Sequence, residues 1–154
     1  MTLISTTVAA PDHPRLSAAQ LAPAAYRAMV AFDDAVELDP TLRELVRIRA
    51  SQLNGCAYCL DMHSTDARQA GEDPRRLATI AGWHESVFYS PRERAALALT
   101  DAVTRLGEGG VPDAIWDEAT QHFEGAELAQ LLWAIVAINA WNRIGVATRL
   151  VPES

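Results

Sequence analysis

The chain has 154 residues, of which 49% are apolar, and a formal net charge of −7 at neutral pH. This length and composition predict one folded domain and argue against disorder over most of the chain. All basic residues are arginines and they are dispersed among acidic residues, which argues against nucleic acid or an anionic membrane as the main partner. Two cysteines three residues apart cannot cross-link a fold, which excludes a structural disulfide framework.

The first sixteen residues predict an extended lead-in, followed by a single domain at 17–151. Residues 1–13 contain neither the basic nor the apolar region that a signal peptide has. The longest apolar run, Leu131–Ile138, is far shorter than the ~20 residues that a membrane span needs. We therefore expect a cytoplasmic protein that has no membrane partner.

Proline, glycine and capping residues divide the domain into helical segments joined by short turns. A short turn at 17–20 comes first, and Asp39-Pro40, Asp73-Pro74 and Ser90-Pro91 each place a capping side chain directly before a proline. The predicted helices, in chain order, are 23 to about 38, 40 to about 53, 56 to about 70, 74 to 81, 91 to about 106, 112 to 123, and 126 to about 150. No segment shows the alternation of a strand, so we predict an all-α domain of six to seven helices.

The last helix is apolar on most of its circumference. Such a helix is buried on all sides. In a domain of this size it is either the central core helix or part of a subunit interface, and we favour an oligomer.

The ten-residue stretch from Asn54 to His63 contains both cysteines, Cys56 and Cys59, in a C-x-x-C spacing. The Asn-Gly pair at its start breaks one helix, and at 3.6 residues per turn both sulfurs and the imidazole of His63 fall on one face of the next. The free N–H groups and the dipole at a helix N-terminus favour a thiolate, with a pKa of ~3.5–7.5 against ~8.5 for a free cysteine. The pattern therefore predicts a redox site.

Less specific interpretations of these residues remain. In one interpretation the cysteines are half of a zinc site, although His13, His84 and His122 lack the spacing of zinc ligands. In another, both cysteines are buried and have no chemical role. For His63, the alternative is a helical histidine that only packs and has no chemical role. Glu44 lies on the helix face opposite the apolar stripe of Leu42 and Leu45. In a monomer this pattern predicts that the Glu44 carboxylate is exposed to solvent and pairs at most with Arg47.

Three segments resemble a known family: Leu42–His63, Glu93–Leu97 and Asn139–Arg143. A glutamate twelve residues before the first cysteine and a histidine four residues after the second make the bare C-x-x-C motif specific. Residues 20–150 are similar to the AhpD-like alkylhydroperoxidases of the carboxymuconolactone decarboxylase superfamily. The resemblance implies an all-α homo-oligomer, commonly a trimer or hexamer, without a bound cofactor or metal.

The activity that the resemblance implies is reduction of a hydroperoxide. Cys59 resembles the peroxidatic cysteine, Cys56 the resolving cysteine, and His63 with Glu44 a proton relay that acts through water. A lipoyl or thioredoxin-like protein would supply electrons as a dithiol. From the spacing alone, which sulfur attacks stays open.

One position departs from the better-characterised AhpD proteins, which have a histidine immediately before the second cysteine. Here that residue is Tyr58, whose phenol, with a pKa near ~10, cannot act as a base at neutral pH. Two alternatives therefore accompany the peroxidase: a general thiol–disulfide oxidoreductase, and a non-enzymatic oligomer that binds a ligand or senses redox state. Ring-opening decarboxylation, which gave the superfamily its name, gains nothing from a redox dithiol.

Overall fold

The computed structural model describes residues 14–152, and these are arranged as α-helices with short connections. Most of the lead-in predicted at 1–16, including His13, lies outside the described residues. The helices are α1 (Ala18–Leu21), α2 (Pro23–Asp34), α3 (Pro40–Asn54), α4 (Ala57–Gln69), α5 (Pro74–Thr79), α6 (Pro91–Thr104), α7 (Asp113–His122) and α8 (Gly125–Thr148), with a 3₁₀ turn at Ile80–Gly82 between α5 and α6.

The all-α prediction is confirmed, and its seven longer helices are all present. The eighth, α1, is the four-residue turn expected at 17–20. Within 14–152 the nearest approach to a strand is one isolated antiparallel bridge between Gly107 and Gly110. The domain boundaries at residues 16/17 and 151 stay a prediction.

The capping signals in the sequence begin helices where they were expected to. The Asp39 carboxylate accepts the N–H of Leu42 at 2.9 Å, with Pro40 in the first turn of α3. Ser90 and Glu93 form a reciprocal capping box at the start of α6. These caps satisfy backbone N–H groups that the helix itself leaves unpaired, so the helix starts follow from local sequence.

The centre of the fold is the contact between α3 and α8. A large apolar cluster joins these two helices to α6 and α7, and it includes Val46, Leu99, Leu131 and Ile135, all fully buried. A second cluster, around Leu45, Ile80 and Leu97, joins α3 to α6 and the 3₁₀ turn. Of the two alternatives for this helix, core helix or subunit interface, the inner face of α8 therefore fits the first.

Polar side chains also link α3 to α8 inside this apolar contact. Asn142 is fully buried; its amide donates to the Ser51 hydroxyl and its carbonyl oxygen accepts from Asn54, both at 2.9 Å. Asn139 accepts from Asn54 at 2.9 Å and donates to Thr104. Because buried polar groups need partners, this network fixes how the end of α3, just before the cysteines, lies against α8.

By length and composition, the 24-residue helix α8 is long and apolar enough to cross a membrane. No other helix in the described part of the chain meets this condition. The uninterrupted apolar run at 131–138 is too short to indicate a membrane span, because Asn139 and Asn142 interrupt the apolar sequence of α8. Length and composition alone are weak evidence, since a buried core helix has the same properties, and 44% of the most apolar stretch of α8 is buried in the fold.

Candidate active site

The cysteine pair follows a tight junction between α3 and α4. Gly55 ends α3 in the left-handed conformation, with φ of 67°, which an L side chain adopts only with strain. The Cys56 N–H then donates to Ser51 O at 3.0 Å. Cys56 is the N-cap of α4, as the Asn-Gly signal predicted, and its sulfur accepts the N–H of Cys59 at 3.4 Å.

The two sulfurs form a disulfide across this first turn, with 5.4 Å between the Cα atoms. Both cysteines are buried, at 2% and 3% exposure. Cys59, His63 and Ala67 share the buried face of α4, as the helical period predicted. The pair therefore lies at the positive end of a helix and away from bulk water, where a thiolate formed on reduction is stabilised by the helix N-terminus.

Glu44 approaches this pair from α3. Its Oε2 lies 3.0 Å from Nδ1 of His63, and Arg47 donates to its Oε1 at 2.8 Å. The carboxylate side chain is only 16% exposed. The prediction of a solvated Glu44 in a monomer is therefore wrong: α3 and α4 pack so that this face of α3 contacts α4, which the apolar pattern of α3 alone did not reveal.

A chain of charges continues from Glu44 to α2. Arg47 donates to both carboxylate oxygens of Asp33, at 3.1 and 3.0 Å, and Arg43 donates to the same carboxylate at 3.2 Å. Burial by itself raises the pKa of Glu44, but the hydrogen bond and charge of His63, together with Arg47, outweigh burial and hold that pKa below its ordinary value. Glu44 is thus ionised at neutral pH.

An ionised carboxylate can only accept hydrogen bonds, so Nδ1 of His63 is the donor in this pair. The other ring nitrogen, Nε2, is then free to exchange a proton. His63 is 5% exposed and lines the same cavity as Cys59. The arrangement has the order of an activated thiol site: a carboxylate orients an imidazole, which lies one helical turn from a cysteine.

The cavity above these residues has a volume of about 500 Å³ and a mainly apolar lining. It is formed by residues of the chain before α1, of α1, α2, α3, α4 and α8, and of the chain after α8: Pro14, Leu16, Ser17, Ala18, Ala19, Tyr26, Asp33, Arg47, Tyr58, Cys59, Met62, His63, Asp66, Trp141, Ile144, Thr148 and Leu150. Cys59 is part of this lining and Cys56 is not. A small molecule in the cavity therefore meets the second cysteine first.

Several cavity residues escaped sequence analysis. Met62 is 39% exposed and lines the cavity. Trp141 of α8 meets Tyr26 of α2 edge to face at 5.7 Å, and both rings line the cavity. These contacts join helices over a hundred residues apart in sequence, and no local pattern indicates them. Tyr58, one residue before Cys59, also lines the cavity.

Metal binding by this cluster has limited support. Glu44, His63 and Asp66 each place one possible ligand atom within 4.8 Å of the others. However, Nδ1 of His63 and both oxygens of Glu44 are already engaged, and the Arg47 cation beside Glu44 opposes a second cation. These contacts disfavour a metal ion at this cluster.

Comparison with known proteins identifies the family of this chain. Residues 23–102 match the model of the carboxymuconolactone decarboxylase family. The uncharacterised protein YdfG of Bacillus subtilis is 38% identical over 136 residues, which are 86% of this chain and 92% of that protein.

Two solved structures are similar to this fold. The first, from Agrobacterium tumefaciens, is a protein of unknown function proposed to be the antioxidant defence protein AhpD; it is 36% identical, with a TM-score of 0.89 over 92% of this chain and 99% of that one. The debrominase Bmp8 has a TM-score of 0.76 at 21% identity, over 88% of this chain and 74% of that one, which shows a shared fold alone. This chain belongs to the carboxymuconolactone decarboxylase family and is AhpD-like.

Proposed function

We propose that this protein reduces hydroperoxides through a dithiol–disulfide cycle of Cys56 and Cys59. The observation that supports it best is the position of Cys59: it lies in the lining of a mainly apolar cavity, beside a histidine that an ionised glutamate orients. The apolar lining favours an organic hydroperoxide, ROOH, over hydrogen peroxide, because the R group then buries apolar surface.

The oxidising half of the cycle consumes the peroxide. The Cys59 thiolate attacks one peroxide oxygen, the O–O bond breaks, and Cys59 becomes a sulfenic acid while the alkoxide takes a proton and leaves as ROH. His63 is placed to hold and return that proton through Nε2. The Cys56 thiol then attacks the sulfenic sulfur, which forms the disulfide and releases water.

A dithiol donor completes the cycle. It transfers two electrons and two protons, so the disulfide becomes two thiols and the donor becomes a disulfide. Both sulfurs are almost fully buried. A small dithiol or one carried on a flexible arm, such as a lipoyl group, can enter the cavity, whereas a disulfide on the surface of a folded protein cannot reach Cys59. This observation favours the peroxidase over a general oxidoreductase for protein disulfides.

The test is peroxide consumption by two serine variants with an organic hydroperoxide and a dithiol donor. Cys59→Ser removes the attacking sulfur, and we expect turnover to fall to the background rate. Cys56→Ser removes only the resolving sulfur, so without the dithiol donor we expect one equivalent of peroxide to be consumed and a sulfenic acid on Cys59 that a dione probe traps.

Undiminished turnover by Cys59→Ser would contradict the proposal. The same would follow if the unaltered protein reduced small disulfides but no peroxide, which is the outcome expected of a general thiol–disulfide oxidoreductase. A protein that turned over neither substrate would be a binding or redox-sensing protein.

We further propose that the protein is a homo-oligomer, of the trimeric or hexameric kind, in the cytoplasm. The outer face of α8 supports self-association, because Trp133, Val136 and Ile144 recur at helical spacing along it and are 37–52% exposed. A large exposed apolar stripe on an otherwise core helix is typical of an interface.

A further inference from the structure

Gly145 lies in the buried part of α8 where this helix passes the cysteine pair. A Cβ atom built on Gly145 would be 3.0 Å from Sγ of Cys56 and 3.7 Å from Sγ of Cys59. No other glycine in the described residues has a neighbouring heavy atom within 4 Å of such a Cβ. The backbone of α8 therefore packs directly against the two sulfurs at this residue.

The conformation of Gly145 does not explain why it is a glycine. Its φ is that of an ordinary helix, because the positive φ values in the chain belong to other residues. Glycine in the interior of a helix weakens the helix relative to alanine. A Cβ here would lie closer to the Cys56 sulfur than an ordinary van der Waals contact, so the sulfur or the helix would have to shift by a few tenths of an ångström.

We propose that Gly145 is a positioning residue for the redox pair: its missing side chain leaves room for the Cys56 sulfur in the disulfide. The backbone of α8 covers that sulfur, whereas the Cys59 sulfur lines the cavity. The attacking cysteine, Cys59, and the resolving cysteine, Cys56, would then differ in their surroundings: the cavity for Cys59 and the backbone of α8 for Cys56. The inference rests on the redox cycle proposed above, but its test needs no peroxide.

The effect of added bulk at residue 145 differs between the two redox forms. In the disulfide, the covalent bond to Cys59 holds the Cys56 sulfur in place. When a donor dithiol reduces the pair, the S–S bond breaks, each sulfur gains a proton, the donor forms its own disulfide, and the Cys56 side chain is free to rotate. A methyl group at this position therefore disfavours the disulfide more than the dithiol.

The experiment compares Gly145→Ala with Gly125→Ala, which changes the same helix where a Cβ meets open space. The purified proteins are equilibrated in reduced and oxidised dithiothreitol, and both thiol states are counted by alkylation and mass spectrometry. Overpacking of this kind predicts that the equilibrium for Gly145→Ala shifts about fivefold or more toward the dithiol. We expect Gly125→Ala to stay within twofold of the parent.

A second comparison separates a role at the sulfur from a general role in packing. In a Cys56→Ala background the methyl group that Gly145→Ala introduces has room, so this substitution should lower the melting temperature less than it does beside Cys56. An unchanged thiol equilibrium in Gly145→Ala would overturn the proposal, as would an equal loss of stability in both backgrounds. If the equilibrium shifts but Cys59→Ser still consumes peroxide, the positioning role stands and the peroxidase proposal fails.

Discussion

Glu44 is held between a histidine and an arginine, and this position makes part of the protein's stability depend on pH. Its folded pKa lies below its ordinary value. The ionised carboxylate therefore stabilises the fold fully above the pKa of the unfolded chain, about 4.3, and this stabilisation is lost as the pH falls through the lower folded pKa.

We expect Glu44→Gln to lower the free energy of unfolding at pH 6, and to have a progressively smaller effect as the pH falls through the folded pKa of Glu44, where the parent carboxylate itself takes up a proton. Urea unfolding across this range measures the difference. Glu118→Gln is the control, because Glu118 also lies beside a histidine, His122, but its side chain is 52% exposed and such surface pairs contribute little. A loss for Glu44→Gln that did not change with pH would contradict the assignment.

Residues of the site differ in how far the sequence predicts them. The period of α4 placed Cys59 and His63 on one face, because residues on a single helix obey local geometry. The contact between Glu44 and His63 depends on how two helices pack, and the local pattern of α3 predicted solvent instead. Only the resemblance to the AhpD-like proteins indicated a role for Glu44. Gly145 had one local signal, a glycine inside an apolar helix, which often marks a close approach.

At the scale of elements, the helix starts were predictable and the arrangement of the helices was not. Capping boxes and prolines act within four residues, so they can be read directly. The cavity needs the chain before α1 to lie against the end of α8, where the Arg15 N–H donates to Thr148 O at 2.7 Å. That hydrogen bond joins the two ends of the described chain, and no periodic pattern in the sequence predicts it.

The buried polar network gives a prediction at this scale. Asn142→Ala leaves the Ser51 hydroxyl and the Asn54 amide short of a partner between α3 and α8. Unpaired buried groups are costly, so we expect the free energy of unfolding to fall by about 2–4 kcal/mol. Urea denaturation measures it, with Gln121→Ala on the exposed face of α7 as the control. A loss below ~0.5 kcal/mol would show that the network does not hold the two helices.

For the whole molecule, the proposed oligomer gives a prediction for the outer face of α8. Trp133→Glu places a charge on the most exposed residue of the apolar stripe, and we expect it to convert the proposed oligomer to a monomer of 16.7 kDa. Light scattering after size exclusion measures the mass. Trp116→Glu is the control, since Trp116 is similarly exposed, at 40%, but lies on α7. An unaltered protein that was already monomeric would refute the interface.

The capping contact at the start of α4 bears on which sulfur of the disulfide a donor thiol attacks. The sulfur of Cys56 accepts the amide hydrogen of Cys59 while it is also bonded covalently to the Cys59 sulfur. When a donor thiol attacks the disulfide at Cys59, the departing Cys56 sulfur carries negative charge, and this amide is already placed to stabilise it. In the proposed cycle Cys56 is thereby the better leaving group, because the hydrogen bond stabilises the charge on the departing sulfur. We therefore expect the mixed disulfide to form at Cys59.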